Sequence, residues 1–410
     1  MSTRPFRFVH ASDFHLEQPL MGVAEVPDHL RDLFLDAPYT AACKVFDAVL
    51  AEDADFVVLS GDVLHPLNTG PRGPLFLVDQ FARLAERGIG VYWAGGMVDP
   101  PEAWPDSLAL PQNVHVFPHG RVEEVTIHRD AEPLARLVGM GRDRQRAVRP
   151  GDFAPDPTGL YTIAIVHGDA DAVALQPRGI HCWALGGRHD RSTPLGGPQL
   201  IHYCGSPQGR RPDERGVHGC TLVQVDPQRQ TRTSLIPTDA VRWLSERISV
   251  DEATSREELE TRLRDRMHTL LEASPATALL VSWTVAGQGP LPGQLRHGKL
   301  AAELLQWLRS DYGYRSPAAW SMSLEVEVSE TLPPEWYEQE TIRGDFLRAV
   351  RQLQMNPAEP LALESYMAET HLAGALGTAG AFSGKAARDR VLREAAALSV
   401  DLLSGEEPHA

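Results

Sequence analysis

Five residues whose types suit hard or borderline divalent cations follow apolar runs in this chain: Asp13 and His15 after FRFVHA, Asp62 after DFVVL, His167 after YTIAIV and His189 after HCWALG. Manganese, iron and zinc take carboxylate oxygens and imidazole nitrogens, and paired ions need a carboxylate to bridge them. The D-x-H spacing puts two side chains on one side of an extended chain, so both Asp13 and His15 can reach one ion. Asp62 follows Gly61, which lets the backbone approach closely and suits a bridging ligand. Taken singly, each residue has a plainer explanation, the Asp as a cap or turn residue and the His as a satisfied polar group. Five of them at successive strand ends point instead to a divalent metal centre.

Such a centre needs strands to carry it. FRFVHASD, DFVVLSGD, GVYWAGG, YTIAIVHGD and HCWALGG each read as a buried strand running straight into Gly, Asp or His. In α/β sheets, ligand-binding groups gather in loops beyond the carboxyl ends of strands, so these loops can converge on one crevice. AACKVFDAVLAED and FLVDQFARLAERG space their apolar residues as helices packed on a sheet. HYCGSP and CTLVQVDP read as further strands of antiparallel or hairpin character.

A change of character near residue 240 suggests a domain boundary. Residues 241–330 read as a small β-α-β-α-β capping or interaction domain with no Gly-rich phosphate loop. Its first helix opens with a Ser255 and Glu258 capping box and carries an apolar stripe of Leu259, Leu263, Met267 and Leu270. Residues 331–410 read as helical, with DFLRAVRQLQ and AARDRVLREAAALSVDLL separated by the small-residue linker AGALGTAGAFSGK and followed by a frayed SGEEPHA.

With 42% hydrophobic and 23% charged residues over 410 positions, the composition is that of a globular protein of two or three domains. The opening MSTRPFRFVHASD lacks an apolar signal segment and no run approaches the roughly 18 apolar residues of a membrane span, so a cytoplasmic protein without membrane contact is expected. A net charge of −16 argues against coating nucleic acid through the whole surface. Two local basic patches remain: Arg142, Arg144, Arg146 and Arg149 in RDRQRAVR, and Arg210, Arg211 and Arg215 in QGRRPDER, read either as solvated loop charge or as phosphate and DNA contacts. Cys43, Cys182, Cys204 and Cys220 form no C-x-x-C pair and read as small buried hydrophobes.

The blocks HASDFHLEQP, LSGDVLHP, GGMVDP, VHGD and LGGRH resemble those of the calcineurin-like metallophosphoesterases, and HASDFHL and YCGSPQGRRPDERG are most similar to the DNA-repair exonuclease branch that includes the nuclease subunit of the bacterial SbcCD complex. The resemblance spans about residues 5–240 and extends more loosely over the following segment. It implies a four-layer α-β-β-α sandwich with a smaller α+β capping domain and a C-terminal helical region. It also implies that Asp13, His15, Asp62 and His189 surround one ion, that Asp62 bridges to a second, and that His167 belongs to the second. The family's third block usually supplies an Asn and a His where this chain has Met97 and Val98, and its fifth block a His where this chain has Gly187. The second half-site is therefore read as degenerate, holding one ion rather than two, with manganese expected first and iron or zinc as alternatives. His65, Asp99, Asp169 and Asp190 lie in or beside the blocks without forming a full replacement set, while Arg188 can lend charge to a phosphate or simply pair with a nearby Asp.

Three functions follow from the resemblance. The first is a metal-dependent phosphodiesterase or exonuclease acting on DNA ends through a metal-activated water, with reduced activity and with His167 and Arg188 orienting the phosphate. The second is a catalytically inactive relative serving as an assembly module for DNA or an SMC-like ATPase docked on the C-terminal helices. The third, a small-molecule phosphatase, is disfavoured by the similarity to the DNA-repair branch. Family members commonly dimerise, so a homodimer is compatible with this reading.

Overall fold

The computed structural model describes residues 4–23, 26–66, 68–142, 149–287, 289–296, 298–327, 334–356, 361 and 385–403. The chain divides into two compact units, residues 1–244 with 274–280 and 314–320, and residues 245–273 with 281–313 and 321–410.

Two six-stranded sheets make up the first unit. In one, β1 (Phe6–Ala11), β2 (Phe56–Leu59), β3 (Gly90–Ala94) and β4 (Val114–Phe117) run parallel in that order, and β11 (Gly219–Val225) and β12 (Thr231–Pro237) extend the β1 edge antiparallel. In the other, β6 (Glu132–Met140), β7 (Thr162–His167), β8 (Cys182–Gly186) and β10 (Leu200–Tyr203) are parallel neighbours, flanked by antiparallel β5 (Glu123–Arg129) and β9 (Ser192–Leu195). HYCGSP, expected to be antiparallel or part of a hairpin, is thus parallel to β8 on one side and antiparallel to β9 on the other. Strands β2, β7 and β8 are buried at every position, which is why they read as continuous apolar runs rather than alternating ones.

Between the sheets lies a core of Phe6, Phe8, Phe56, Phe117, Ile163 and Ile165 with their neighbours. Phe8 stacks on Phe56 with ring centroids 5.0 Å apart, and Phe6 meets Tyr161 edge-on at 5.4 Å. The outer face of the first sheet is covered by α1 (Arg31–Ala51) and α2 (Arg72–Ala85), whose Leu77, Phe81 and Leu84 fall on one helical face. The outer face of the second sheet carries a thinner layer: α3 (Ala172–Leu175), two 3₁₀ turns and loop residues such as Phe153 packed on Trp183. The α-β-β-α layering is present with its second helical layer reduced. Cys182, Cys204 and Cys220 are buried as expected, whereas Cys43 on α1 is partly exposed.

Hydrogen bonding ties the strand ends together beyond the sheet. Asp13 N–H donates to the Gly61 carbonyl, His15 N–H to that of Asp62 and Leu16 N–H to that of Val63, at 2.9, 3.0 and 3.2 Å. Asp99, fully enclosed in the loop after β3, accepts from the N–H groups of Asp62, Val63 and Gly96 at 2.8, 3.1 and 2.6 Å and from Trp93 Nε1 at 2.9 Å. A single carboxylate thereby fixes the loops after β2 and β3 against each other.

The second unit includes most of a three-stranded sheet ordered β13 (Val241–Val250), β14 (Ala278–Gly287) and β15 (Ala319–Val326). Helix α4 (Arg256–Ala273) begins as expected, Ser255 Oγ accepting from Glu258 N–H at 3.2 Å, and buries Leu259, Leu263, Met267 and Leu270. It is followed by α5 (Pro290–Arg296), α6 (Lys299–Tyr312), α7 (Pro334–Tyr337), α8 (Ile342–Met355) and α9 (Lys385–Leu403). Helices α8 and α9 pack through Leu347, Val350, Leu392, Ala396 and Val400, on the two stretches expected to be helical. Residues 373–384 of the expected linker, the tail 404–410, and Arg144 and Arg146 lie outside the described residues. No described helix is long and apolar enough to cross a membrane.

Two substitutions test this architecture. Phe8→Ala should cost about 3–5 kcal/mol by leaving a cavity between the sheets, seen as a lower denaturant midpoint of the first unit. Asp99→Ala strands up to four buried donors, at about 1–3 kcal/mol each, whereas Asp99→Asn keeps a carbonyl acceptor. Chemical denaturation should rank wild type above Asn and Asn above Ala, and equal stability of the two variants would contradict the clamp.

Candidate metal centre

The carboxyl ends of β1, β2, β7 and β8 bring Asp13, His15, Asp62, His167 and His189 into one crevice. They form two groups whose ligand atoms lie within 4.8 Å of one another, Asp13 with His15 and His189, and Asp13 with Asp62 and His167. Asp13 is common to both, which the sequence reading had not expected. Asp62 also reaches both ways, its Oδ2 lying 3.3 Å from His167 Nε2 and 3.7 Å from His15 Nε2. Asp13, His15 and Asp62 have φ of 57°, 44° and 52°, a left-handed backbone that few side chains tolerate and that the surrounding hydrogen bonds hold in place.

Each histidine is oriented by an acceptor behind it. His15 Nδ1 faces Glu17 Oε1 at 3.3 Å, His189 Nδ1 faces Glu214 Oε1 at 2.7 Å, and His167 Nδ1 faces the Ser60 carbonyl at 2.8 Å. A carbonyl or ionised carboxylate has no proton to give, so Nδ1 donates in each case; this leaves Nε2 of His15 and His189 turned to the crevice, while His167 Nε2 meets Asp62 Oδ2 at 3.3 Å. This is the arrangement by which proteins orient histidine ligands of metals. His15 Nε2 is buried and has no hydrogen-bond partner, so the donor set of Asp13, His15 and His189 fits a divalent cation.

The electrostatics distinguish the two groups. Burial pushes the Asp13 acid upward against the His167 charge, the Ser12 hydroxyl and the Gly187 N–H. Burial acts the same way on Asp62, but the hydrogen bond and charge of His167, the charge of His15 and the Val98 N–H outweigh it and hold Asp62 far below the ordinary range. His167 is drawn down by burial, yet its bond to Asp62 and the charges of Asp62 and Asp13 lift it to about 9. In Glu214 burial is overcome by His189, the Arg210 N–H and the Arg210 charge, and its pKa falls to about 2. Asp99 is pushed up to about 7 by burial and by Asp62, against the N–H groups it accepts from.

At the three positions where the sequence reading missed ligands, the backbone itself faces the carboxylates. Met97 and Val98 donate their N–H groups to Asp62 Oδ1 at 2.5 and 3.0 Å, and Gly187 N–H donates to Asp13 Oδ1 and Oδ2 at 3.2 and 3.0 Å. Asp62 is thus divided, one oxygen on backbone donors and the other on histidines. The floor beneath is backbone at close range: a Cβ at Gly186 would lie 1.9 Å from the Ser60 carbonyl oxygen, and one at Gly96 2.3 Å from Asp62 Oδ1.

The arginines are placed differently from expectation. Arg188 is 45% exposed, donates from Nε to Asp169 at 2.9 Å and lies over the Tyr203 ring, so it is engaged in its own loop. Arg210 is no part of an exposed patch: it is 2% exposed, with Nη2 3.2 Å from each ring nitrogen of His189. Arg211 and Arg215 are exposed, the latter donating to the Pro212 carbonyl at 3.0 Å. His65, Asp99, Asp169 and Asp190 join neither ligand group among the described residues. The sequence reading missed Glu17, Glu214 and the Ser60 carbonyl. Two acids near the ligand blocks, in HLEQP and RPDER, were the only signal available.

The family profile described as the middle domain of the metallophosphoesterase YhaO matches residues 243–329. A Bacillus subtilis (strain 168) protein described as an uncharacterized metallophosphoesterase, YhaO, is 25% identical over 338 residues, covering 78% of this chain and 81% of that protein. Among solved structures, the chain is similar to a dimetal phosphatase from Danio rerio, at 12% identity and a TM-score of 0.33 over 56% of this chain and 98% of that one. It is also similar to Vps29 from Entamoeba histolytica complexed with zinc, at 12% identity and a TM-score of 0.26 over 57% and 99% of the respective chains. The matched middle segment and the likeness along most of the sequence lead to the same group, and the chain is similar to metallophosphoesterases of the YhaO type.

Proposed function

We propose that the chain is a metal-dependent phosphodiesterase that works with one tightly held cation, manganese first and iron or zinc as alternatives, and that acts on DNA ends. The observation that carries this reading is the convergence of three oriented imidazole Nε2 atoms on two buried carboxylates. Asp13, His15 and His189 hold the cation, and Glu17 and Glu214 orient the two histidines. When bound, a divalent cation there supplies Lewis-acid charge and lowers the pKa of a water molecule toward neutrality. Hydrolysis at this site would need a water oxygen to bond to phosphorus as the ester P–O bond breaks, and the leaving oxygen to take up a proton. His167 is the residue suited to hold that proton, at Nε2, 3.3 Å from Asp62 Oδ2.

One ion rather than two is supported by the state of the Asp62 side. Asp62 Oδ1 is already occupied by the N–H groups of Met97 and Val98, so a cation there competes with bonds the backbone makes at no cost in side-chain entropy. The choice of DNA rests on the similarity of HASDFHL and YCGSPQGRRPDERG to the DNA-repair exonuclease branch, with the exposed Arg211 and Arg215 as backbone contacts. The same occupied Asp62 favours a second reading, a chain that has kept the fold for assembly with DNA or an SMC-like ATPase and no longer cleaves.

Assays with bis-p-nitrophenyl phosphate and end-labelled DNA in manganese separate the two. The enzyme reading expects metal-dependent hydrolysis that falls at least about 100-fold in Asp62→Ala. Elemental analysis should find close to one ion per chain, and two tightly held ions would sink the one-ion reading. The His167 proton has its own signature in metal-free protein. A folded-state pKa of about 9, above the ordinary 6.5, contributes stability that is complete below pH 6.5 and lost as pH rises through about 9. Thermal unfolding of metal-free wild type should therefore weaken between pH 6.5 and 9.5 more than that of His167→Gln.

A further inference from the structure

We infer that Arg210 is a phosphate clamp: its guanidinium takes a non-bridging oxygen of a phosphoryl group seated beside His189, supplying fixed positive charge on this side of the crevice. The inference rests on the metallophosphoesterase reading of the same cluster. Its starting point is an imbalance of hydrogen bonds. Arg210 is 2% exposed, and its Nη1 is buried with no hydrogen-bond partner. Its Nη2 lies against the His189 ring, and the closest carboxylate paired with it, Glu214 Oε1, stands 3.9 Å away, beyond hydrogen-bond reach. A buried charge with an unmatched donor is unfavourable unless something completes it.

The neighbouring acids are committed elsewhere. Glu214 accepts from His189 Nδ1 and from the Arg210 backbone N–H, at 2.7 and 2.6 Å. Glu17 accepts from His15 and from the His65 backbone N–H, at 3.3 and 2.9 Å. Asp13 accepts from Ser12 and from the Gly187 N–H, at 2.5 and 3.0 Å. Glu214, Asp13 and Glu17 lend Arg210 favourable charge at a distance, but none supplies its missing acceptor.

The loop that presents Arg210 is held firmly. The Arg210 carbonyl accepts from Met21 N–H at 2.8 Å, and the Gln208 side chain donates to the Val241 carbonyl at 2.6 Å and accepts from Ala240 N–H at 2.8 Å. A rigid guanidinium with spare N–H groups beside a cation-binding triad matches a tetrahedral oxyanion, because its planar fork fits phosphate oxygens. Arg188, the arginine first expected in this role, already spends its Nε on Asp169.

The test uses the full chain loaded with one equivalent of manganese, with inorganic phosphate as the probe in titration calorimetry, and compares wild type, Arg210→Met and Arg210→Lys. The clamp expects Arg210→Met to weaken phosphate binding at least about tenfold while leaving manganese affinity within about threefold. Arg210→Lys, which keeps the charge but loses the fork, should fall between them at an unchanged melting temperature. If Arg210→Met proves unfolded, the Lys variant decides alone: phosphate affinity equal to wild type overturns the inference. So does a parallel loss of manganese and phosphate binding, which would make Arg210 a support for His189. A gain in manganese affinity with phosphate unchanged also overturns it, by reducing Arg210 to a counter-charge for the acids. A chain that binds phosphate through Arg210 yet cleaves nothing refutes the enzyme reading alone, and a hydrolase indifferent to Arg210 refutes the clamp alone.

Discussion

The carboxylate of Asp62 is taken out of water at the end of β2, beside a second buried carboxylate, and the crevice is organised around making that tolerable. An ionised group in such surroundings needs donors or cations on every side. Backbone N–H groups from the β3 loop occupy one oxygen, and His167 and His15 flank the other. The donors are in place because Asp99 pins that loop to the residues following β2, and the histidines because the Ser60 carbonyl and Glu17 fix their rings. Sheet packing, loop register and imidazole orientation thus meet at one side chain.

The histidines are alike in geometry and unlike in what stands behind them. His15 and His189 lean on carboxylates, which fix the orientation of each ring toward the crevice. His167 leans on a neutral carbonyl, and its affinity for a proton comes from Asp62 in front of it. On the proposed function, one side of the crevice holds a cation and the other a proton. That asymmetry follows from the second partners and could not be read from the ligands themselves.

Much of this was legible in the sequence, and what was not shares a physical reason. The five ligand-type residues stood out because they lie at or just beyond the ends of four largely buried strands, where a polar residue interrupts an apolar run. The α4 capping box and stripe were legible because they depend only on local spacing. Strands β4, β5, β6, β9 and β12 went unnamed: in β5, β9 and β12 partly exposed positions mix charged, hydroxyl and apolar residues without a clean run, β4 is only four residues long, and the buried run of β6 is broken by Arg136. Arg210 was misread because RRPDE has the composition of a surface loop. Bonds from distant parts of the chain, those of Gln208 to Ala240 and Val241, of Trp243 to the Gly209 carbonyl and of Met21 N–H to the Arg210 carbonyl, turn it inward. Met97, Val98 and Gly187 looked like bare losses because a sequence displays side chains, whereas these residues act here through their N–H groups.

The glycine floor has a consequence for how such a site can change over time. At Gly186 and Gly96 neighbouring atoms already fill the space where a side chain would begin. A point substitution there cannot add a ligand or a nucleophile without parting the strands. New chemistry can enter only from the walls, through residues whose side chains have somewhere to go. The crevice therefore has many single steps that dismantle it and few that elaborate it, so a lineage built on this floor diversifies mainly by subtraction and by the loops placed around it.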